Sequence, residues 1–191
     1  GLNYFKNTEP MYNHNQILIP IVQGGTDFEL RKRSANELCE LDTELYAIGG
    51  LAVGEPKPAM LDIVEYMNEL LPFEKPRYLM GVGTPADLVR NVSRGVDMFD
   101  CVMPTRNARN GQLFTFNGKL NIRNSKYKND FTLIDDINKP SIYKNYTKAY
   151  LHHLFKTSEM LGYRMATQYN LHFYINLMEK IRLEIKNNNF E

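Results

Sequence analysis

The sequence predicts an α/β fold built from four consecutive βα units. Three observations predict it. Four short apolar runs, Ile17 to Val22, Leu45 to Ile48, Tyr78 to Val82 and Met98 to Met103, each read as a buried strand. Helix signals fill the intervals between them, and glycine or polar residues fall at or just past the end of each run. Such alternation favours a parallel sheet with helices packed outside it. Gln23-Gly24-Gly25, Gly49-Gly50-Leu51, Gly81-Val82-Gly83 and Asp100-Cys101 occupy the strand C-terminal ends, where (β/α) barrels build their sites. An open doubly wound sheet places ligands in a similar position, so the pattern leaves both architectures standing.

The elements follow in order. After the first run, Thr26-Asp27-Phe28-Glu29 has the form of a capping box leading into a helix towards Glu40. Pro58 to Leu71 carries Leu61, Val64, Met67 and Leu71 on one stripe. Thr84-Pro85 supplies an N-cap and a first-turn proline, with Leu88, Val89 and Val92 facing inward and Gly95 as the stop. Beyond Met103 the grammar changes. Gly111 to Ile122 reads as a hairpin with Asn117-Gly118 as its tight turn. Thr147 to Leu161 and about Ala166 to Lys186 read as two helices broken at Gly162.

With 191 residues, 43% of them hydrophobic, the chain is long enough for one substantial core. Two cysteines, no signal-like start and no apolar run near the roughly eighteen residues of a membrane span make a cytoplasmic protein the expectation, with no membrane partner. The net charge of +1 does not by itself call for a polyanion-binding role. Local clustering is another matter: Pro104 to Tyr150 holds nine lysine or arginine residues against three aspartates. That segment is either a solvated basic face or a groove for an RNA backbone.

Asp100 stands amid Met98-Phe99-Asp100-Cys101-Val102, an acid among apolar neighbours at a strand end. An unpaired carboxylate there costs several kcal/mol, so it is either a structural acid satisfied by backbone amides, Arg106 or Arg109, or a nucleophile or general acid/base. Pro104 to Gly111 offers two guanidiniums in a loop suited to phosphates. Gly49 to Glu55 is not a dinucleotide fingerprint, since its spacing differs and no helix follows at once. His152, His153 and His172 lack partners at metal-ligand spacing.

Three segments taken together, Gly49-Gly50-Leu51-Ala52-Val53-Gly54-Glu55, Arg77-Tyr78-Leu79-Met80-Gly81-Val82-Gly83 and Met98 to Arg106, strongly resemble the tRNA-guanine transglycosylase (queuine tRNA-ribosyltransferase) family of bacterial type. The similarity runs on through Tyr150-Leu151-His152-His153-Leu154 and covers almost the whole chain. The resemblance implies the C-terminal half of a (β/α)8 TIM barrel, strands five to eight over residues 1–110. A β-hairpin and helical subdomain, a degenerate form of a zinc-type subdomain, follows over residues 111–191. It implies exchange of guanine at the wobble position of tRNAs with a GUN-type anticodon for the 7-deazaguanine base preQ1, through a covalent aspartyl-ribosyl intermediate. Asp100 matches the nucleophile, a role that suits a carboxylate facing oxocarbenium-like charge. Gln23 and Gly50 match positions reading the base edge, Leu51 lies beside it, Gly49 belongs to the same substrate-binding set, and Met80 matches an apolar platform under the ring. Gly81, Val82, Gly83, Thr84, Pro85, Ala86 and Asp87, with Thr105, Arg106, Asn107, Ala108 and Arg109, match tRNA-contacting segments. Val53 favours preQ1 over the bulkier queuine, and the family's habit makes a homodimer the expected assembly.

The chain also departs from the family pattern. Positions that resemblance assigns to a structural zinc, Cys-x-Cys-x-x-Cys and a later His, hold Asn138, Pro140, Tyr143 and Tyr169, so no zinc is expected. The family's general acid/base aspartate lies on earlier strands that this chain does not contain, so the chain alone is expected to show no exchange activity. Two other functions compete. A non-catalytic tRNA-binding or partner subunit is favoured by these losses and disfavoured by the retained Asp100, Gln23 and Gly-Gly-Leu. A barrel glycoside hydrolase would need a second carboxylate, with Glu55 and Asp87 as candidates.

Overall fold

The computed structural model describes residues 1–12, 14, 16–135 and 145–190. The chain divides into two compact units, Gly1–Cys101 and Val102–Glu191. The first opens with a short helix α1 (Leu2–Asn7) and then alternates β1 (Ile21–Val22), α2 (Phe28–Cys39), β2 (Tyr46–Ile48), α3 (Lys57–Leu70), β3 (Arg77–Leu79), α4 (Pro85–Val92) and β4 (Met98–Phe99). All strand pairs are parallel and the sheet order is β1-β2-β3-β4, which is the predicted run of βα units. The strands are shorter than the apolar runs. Pro20 lies just outside β1, and the run through Met103 stops at Phe99 because Met103 begins a helix whose first turn contains Pro104.

Side-chain alternation gives the sheet two unlike faces. Val22, Tyr46, Ile48 and Leu79 are buried in a core with Ala35 of α2 and with Met60, Ile63, Val64 and Met67 of α3. On the opposite face Ile21 and Met98 are 39% and 45% exposed and Tyr78 is half-buried, so the two outer strands carry uncovered apolar side chains. Within the described residues β1 and β4 are also unpaired sheet edges.

Helix starts are set by local chemistry. Asp27, not Thr26, caps α2, its carboxylate accepting from Leu30 N–H at 2.9 Å, because the Gly24 carbonyl already turns the chain by accepting from Asp27 N–H. Thr84 caps α4 as predicted, accepting from Asp87 N–H.

The second unit contains α5 (Met103–Arg109), the antiparallel hairpin β5 (Gln112–Thr115) and β6 (Gly118–Asn121), a 3-10 turn at Ser125–Tyr127, α6 (Lys148–Lys156) and the long α7 (Met160–Lys186). The segment read as a phosphate-holding loop is thus largely helix. In the hairpin Thr115 pairs with Gly118, so the turn is Phe116-Asn117, one residue earlier than Asn117-Gly118. The helix break falls at Thr157–Glu159, where Ser158 has φ +57°. Gly162 lies inside α7, buried against Leu154, where a Cβ would come within 3.0 Å of the leucine Cβ; it is a packing glycine rather than a stop.

This unit's core joins Ala108, Leu113, Leu120, Ile122, Leu151, Leu154, Phe155, Met165, Ala166 and Tyr169. Asn170, fully buried, ties three elements together. Its Oδ1 accepts from Phe114 N–H at 3.0 Å, and its Nδ2 donates to the carbonyls of Pro104 at 2.9 Å and Gln112 at 3.0 Å. Replacing it by alanine strands one buried donor and two acceptors. Asn170→Ala is expected to destabilise the protein by about 3 kcal/mol, read as a lower denaturant midpoint with an unchanged slope.

Candidate active site

The parallel register decides which residues meet. Val22 aligns with Ile48, Ile48 with Leu79, and Leu79 with Phe99, so the last residues of the four strands form one row across the sheet. One residue further on, Gln23, Gly49, Met80 and Asp100 form the next row. Three interstrand spacings make that row about 14 Å long. Alternation turns it away from the helix-packed core, to the same face as Tyr78.

Asp100 is exposed at the strand end and is not part of the hydrophobic interior. Tyr78, on the neighbouring strand and the same face, donates its hydroxyl to Asp100 Oδ1 at 2.6 Å, and Gly81 N–H donates to the same oxygen at 2.9 Å. Gly81 has φ +76°, a conformation that favours glycine. The Tyr78 hydrogen bond first, and the Gly81 amide second, hold the Asp100 carboxyl below the ordinary aspartate range, against the opposing effect of partial burial. Reciprocally, its bond to Asp100 pushes the Tyr78 phenol up to about 12, so it stays a donor at neutral pH. The site therefore holds an exposed, ionised carboxylate anchored through Oδ1.

The glycine shelf lies further along the same row. The Gln23 side chain packs against Gly49 and Gly50: a Cβ at Gly49 would fall 2.7 Å from Gln23 Nε2, and one at Gly50 would fall 2.8 Å from Oε1. Leu51 is buried in the core, so it supports the shelf from beneath, while Met80 is half-buried and Val53 is 83% exposed. In the segment after β3, Val82 and Gly83 are buried and Ala86 is exposed. A side chain at Gly83 would overlap Cys101 Sγ. Asp87 is buried and accepts from Lys57 Nζ at 2.7 and 3.0 Å, which fixes the start of α4 to that of α3 and withdraws it as a second catalytic carboxylate. Glu55 accepts from Val53 N–H at 2.9 Å, which stiffens its loop.

In the second unit Thr105 to Arg109 lie on α5. Arg106 and Arg109 are exposed, Asn107 donates to Gln112 Oε1 at 2.8 Å, and Ala108 is fully buried. His152 is buried with Nδ1 2.7 Å from the Ile122 carbonyl, a packing role, and His172 contacts Asn176. The sequence reading missed Tyr78 and Arg31. Period-2 alternation from Asp100 and a parallel partner strand would have found the first. Nothing local signals the second, a buried cation on an otherwise polar helix.

A zinc does not fit the donors present. Asn138, Pro140 and Tyr143 lie outside the described residues, and their side chains include no thiolate or imidazole. Tyr169 is 2% exposed and built into the second core, with its hydroxyl 3.5 Å from the Asp135 carbonyl. Among the described residues no three His, Cys, Asp or Glu side chains are grouped to hold a metal. No described helix is long and apolar enough to cross a membrane.

A parallel βα unit that presents an anchored, ionised carboxylate and a glycine shelf at its strand C-terminal ends has the layout of a group-transfer enzyme. Sequence comparison gives the family. The profile of the queuine tRNA-ribosyltransferase family spans residues 2–191, and the chain belongs to that family. It is 58% identical over its whole length to the queuine tRNA-ribosyltransferase of Actinobacillus pleuropneumoniae, covering 51% of that protein. It is 53% identical over 97% of its length to that of Caldanaerobacter subterraneus subsp. tengcongensis, covering 48%. With the relative from Macrococcus caseolyticus the figures are 52% over 91%, covering 46%. The chain spans about half the length of the curated relatives it matches.

Two outcomes follow. Because Tyr78 is the main cause of the lowered Asp100 pKa, Tyr78→Phe is expected to shift the acid limb of any Asp100-dependent rate upward in pH, since the carboxylate then protonates earlier as pH falls. The pH profile of kcat/KM checks this. Elemental analysis of purified, folded protein is expected to give well below one zinc per chain, and chelator treatment is expected to leave its melting temperature unchanged.

Proposed function

We propose that this chain supplies the nucleophile-bearing half of a tRNA-guanine transglycosylase of bacterial type. In this reading residues 1–110 are strands five to eight of a (β/α)8 barrel, and residues 111–191 form the subdomain that follows. The uncovered face carrying Ile21 and Met98 and the open edges of β1 and β4 support it, because a closed barrel covers both. The observation that carries the function is the exposed Asp100 carboxylate, anchored through Oδ1 by Tyr78 and Gly81.

The chemistry is a double displacement. Oδ2 attacks C1′ of the guanosine at the wobble position, which must be extruded from its stack to be reached. The C1′–O bond forms as the C1′–N9 bond breaks, and guanine leaves with the electron pair and takes up a proton. The ring nitrogen of preQ1 then attacks C1′, loses its proton and releases the carboxylate. Tyr78 lowers the charge cost on Oδ1 throughout without transferring its own proton, and the second displacement restores the sugar's configuration. The roughly 14 Å between Gln23 and Asp100 leaves room for a purine nucleoside, its base edge on Gln23 and Gly50, its ring over Met80 and its anomeric carbon at the acid. Gly81 to Asp87, with Arg106 and Arg109, would meet the tRNA backbone, the last two through exposed guanidiniums. The exposed Val53 suits preQ1. A homodimer and a cytoplasmic setting belong to the same proposal.

One specific observation favours a second reading, a tRNA-binding partner subunit without catalysis: the positions that the family resemblance assigns to zinc hold no thiolate or imidazole. Incubating the complete gene product with tRNA and resolving it under denaturing conditions separates the two. A covalent protein-tRNA band that disappears in Asp100→Ala is the expected result. Retained tRNA binding with no such band would select the partner subunit.

A further inference from the structure

Arg31, in the first turn of α2, is fully buried, and no described carboxylate forms an ion pair with it. Burying a guanidinium without such a partner costs several kcal/mol. Burial duly lowers its pKa, with the charge of Glu55 working in the other direction. What it has instead is a fan of backbone carbonyls from two adjacent strand ends. Nη1 donates to Val22 at 2.9 Å, Nε to Gly25 at 2.8 Å and Nη2 to Gly49 at 2.7 Å, with Gly50 at 3.5 Å. Only arginine offers a planar fork wide enough to bridge such a set.

The consequence falls on one peptide. In a trans peptide the C=O and N–H point in opposite directions. Drawing the Gly49 carbonyl towards Arg31 therefore turns the Gly50 N–H away from α2. Gly50 holds φ +66°, and among the described residues nothing accepts its N–H. The Gln23 amide lies directly against the same two glycines. A cation on the carbonyl side of a peptide also polarises it and strengthens the donor on its far side.

We propose that Arg31 is a positioning residue: a buried cationic staple that locks the Gly49–Gly50 peptide so that the Gly50 N–H and the Gln23 amide together receive the carbonyl edge of a guanine-type base. The proposal rests on the base-exchange reading above and adds to it the origin of the pocket's preference for a carbonyl-bearing purine. Lysine at this position keeps the charge and loses the fork, so it separates bridging from charge alone.

The test uses the complete gene product, tRNA and free guanine. In Arg31→Lys the KM for guanine rises about tenfold, the loss of one well-placed hydrogen bond to a polar edge. The rate of adduct formation falls by a similar factor, because the same two donors seat the outgoing guanine, while tRNA affinity, carried mainly by backbone contacts, stays within about threefold of the parent. A folded variant whose guanine KM stays within twofold of the parent overturns the proposal. A tRNA affinity that falls in parallel with guanine affinity overturns it too, since that reduces Arg31 to a general scaffold residue. Should the variant not fold, hydrogen exchange of the Gly50 amide in the parent decides: protection on adding guanine supports the staple, and no protection rejects it. A parent that forms no adduct and exchanges no guanine removes the base-exchange reading and the staple with it. A parent that exchanges normally beside an unaffected Arg31→Lys removes the staple alone.

Discussion

Everything at the strand ends depends on the in-phase register of four parallel strands. Because the last residues of β1 to β4 align, the residues that follow them share one face and one level, although they are separated by many residues of helix and loop. Slipping any strand by one position would turn its end residue into the core, since side chains alternate with a period of two. The register thus does for the carboxylate and the glycine shelf what no local motif could do. The helices α2 and α3 hold that register by burying Val22, Tyr46, Ile48 and Leu79 on the other side.

Two positioning devices then refine the row, one at each end. At the Asp100 end a phenol and a backbone amide converge on a single oxygen, which keeps the acid ionised. At the Gln23 end a guanidinium collects carbonyls at the ends of β1 and β2, so the Gly50 amide turns away from α2. In both cases directed hydrogen bonds, rather than apolar packing, set the orientation. That suits a site built where strands give way to loops.

Much of this was legible from residues alone, and the failures have physical causes. Period and apolar runs located all four strands and the helices between them, and Thr84-Pro85 marked its helix start correctly. Strand lengths were overestimated because apolarity continues past the point where Pro104 helps the chain turn into α5. The hairpin turn was misplaced by one residue because Asn117-Gly118 has a strong turn signal, whereas cross-strand pairing placed Gly118 within β6. Gly162 was read as a stop because a glycine near a helix end usually is one; here close approach to Leu154 requires it. Asp100 stood out as an acid among apolar neighbours. Its anchor Tyr78 did not, since it reaches the acid only across a parallel pair, and Arg31, at the other end of the row, looks like one more charge on a polar helix until its burial is seen.

Gly83 shows how far such a site constrains residues that perform no chemistry. It is buried against Cys101, beside the acid, with no space for even a methyl group. Every codon change that replaces it adds at least that methyl and must push the Cys101 backbone or side chain aside, carrying the neighbouring carboxylate with it. In a deep mutational scan such a position would look as intolerant as a catalytic one. Its immobility in sequence space would come from volume alone, a reminder that intolerance to mutation marks where atoms must fit as well as where bonds are made.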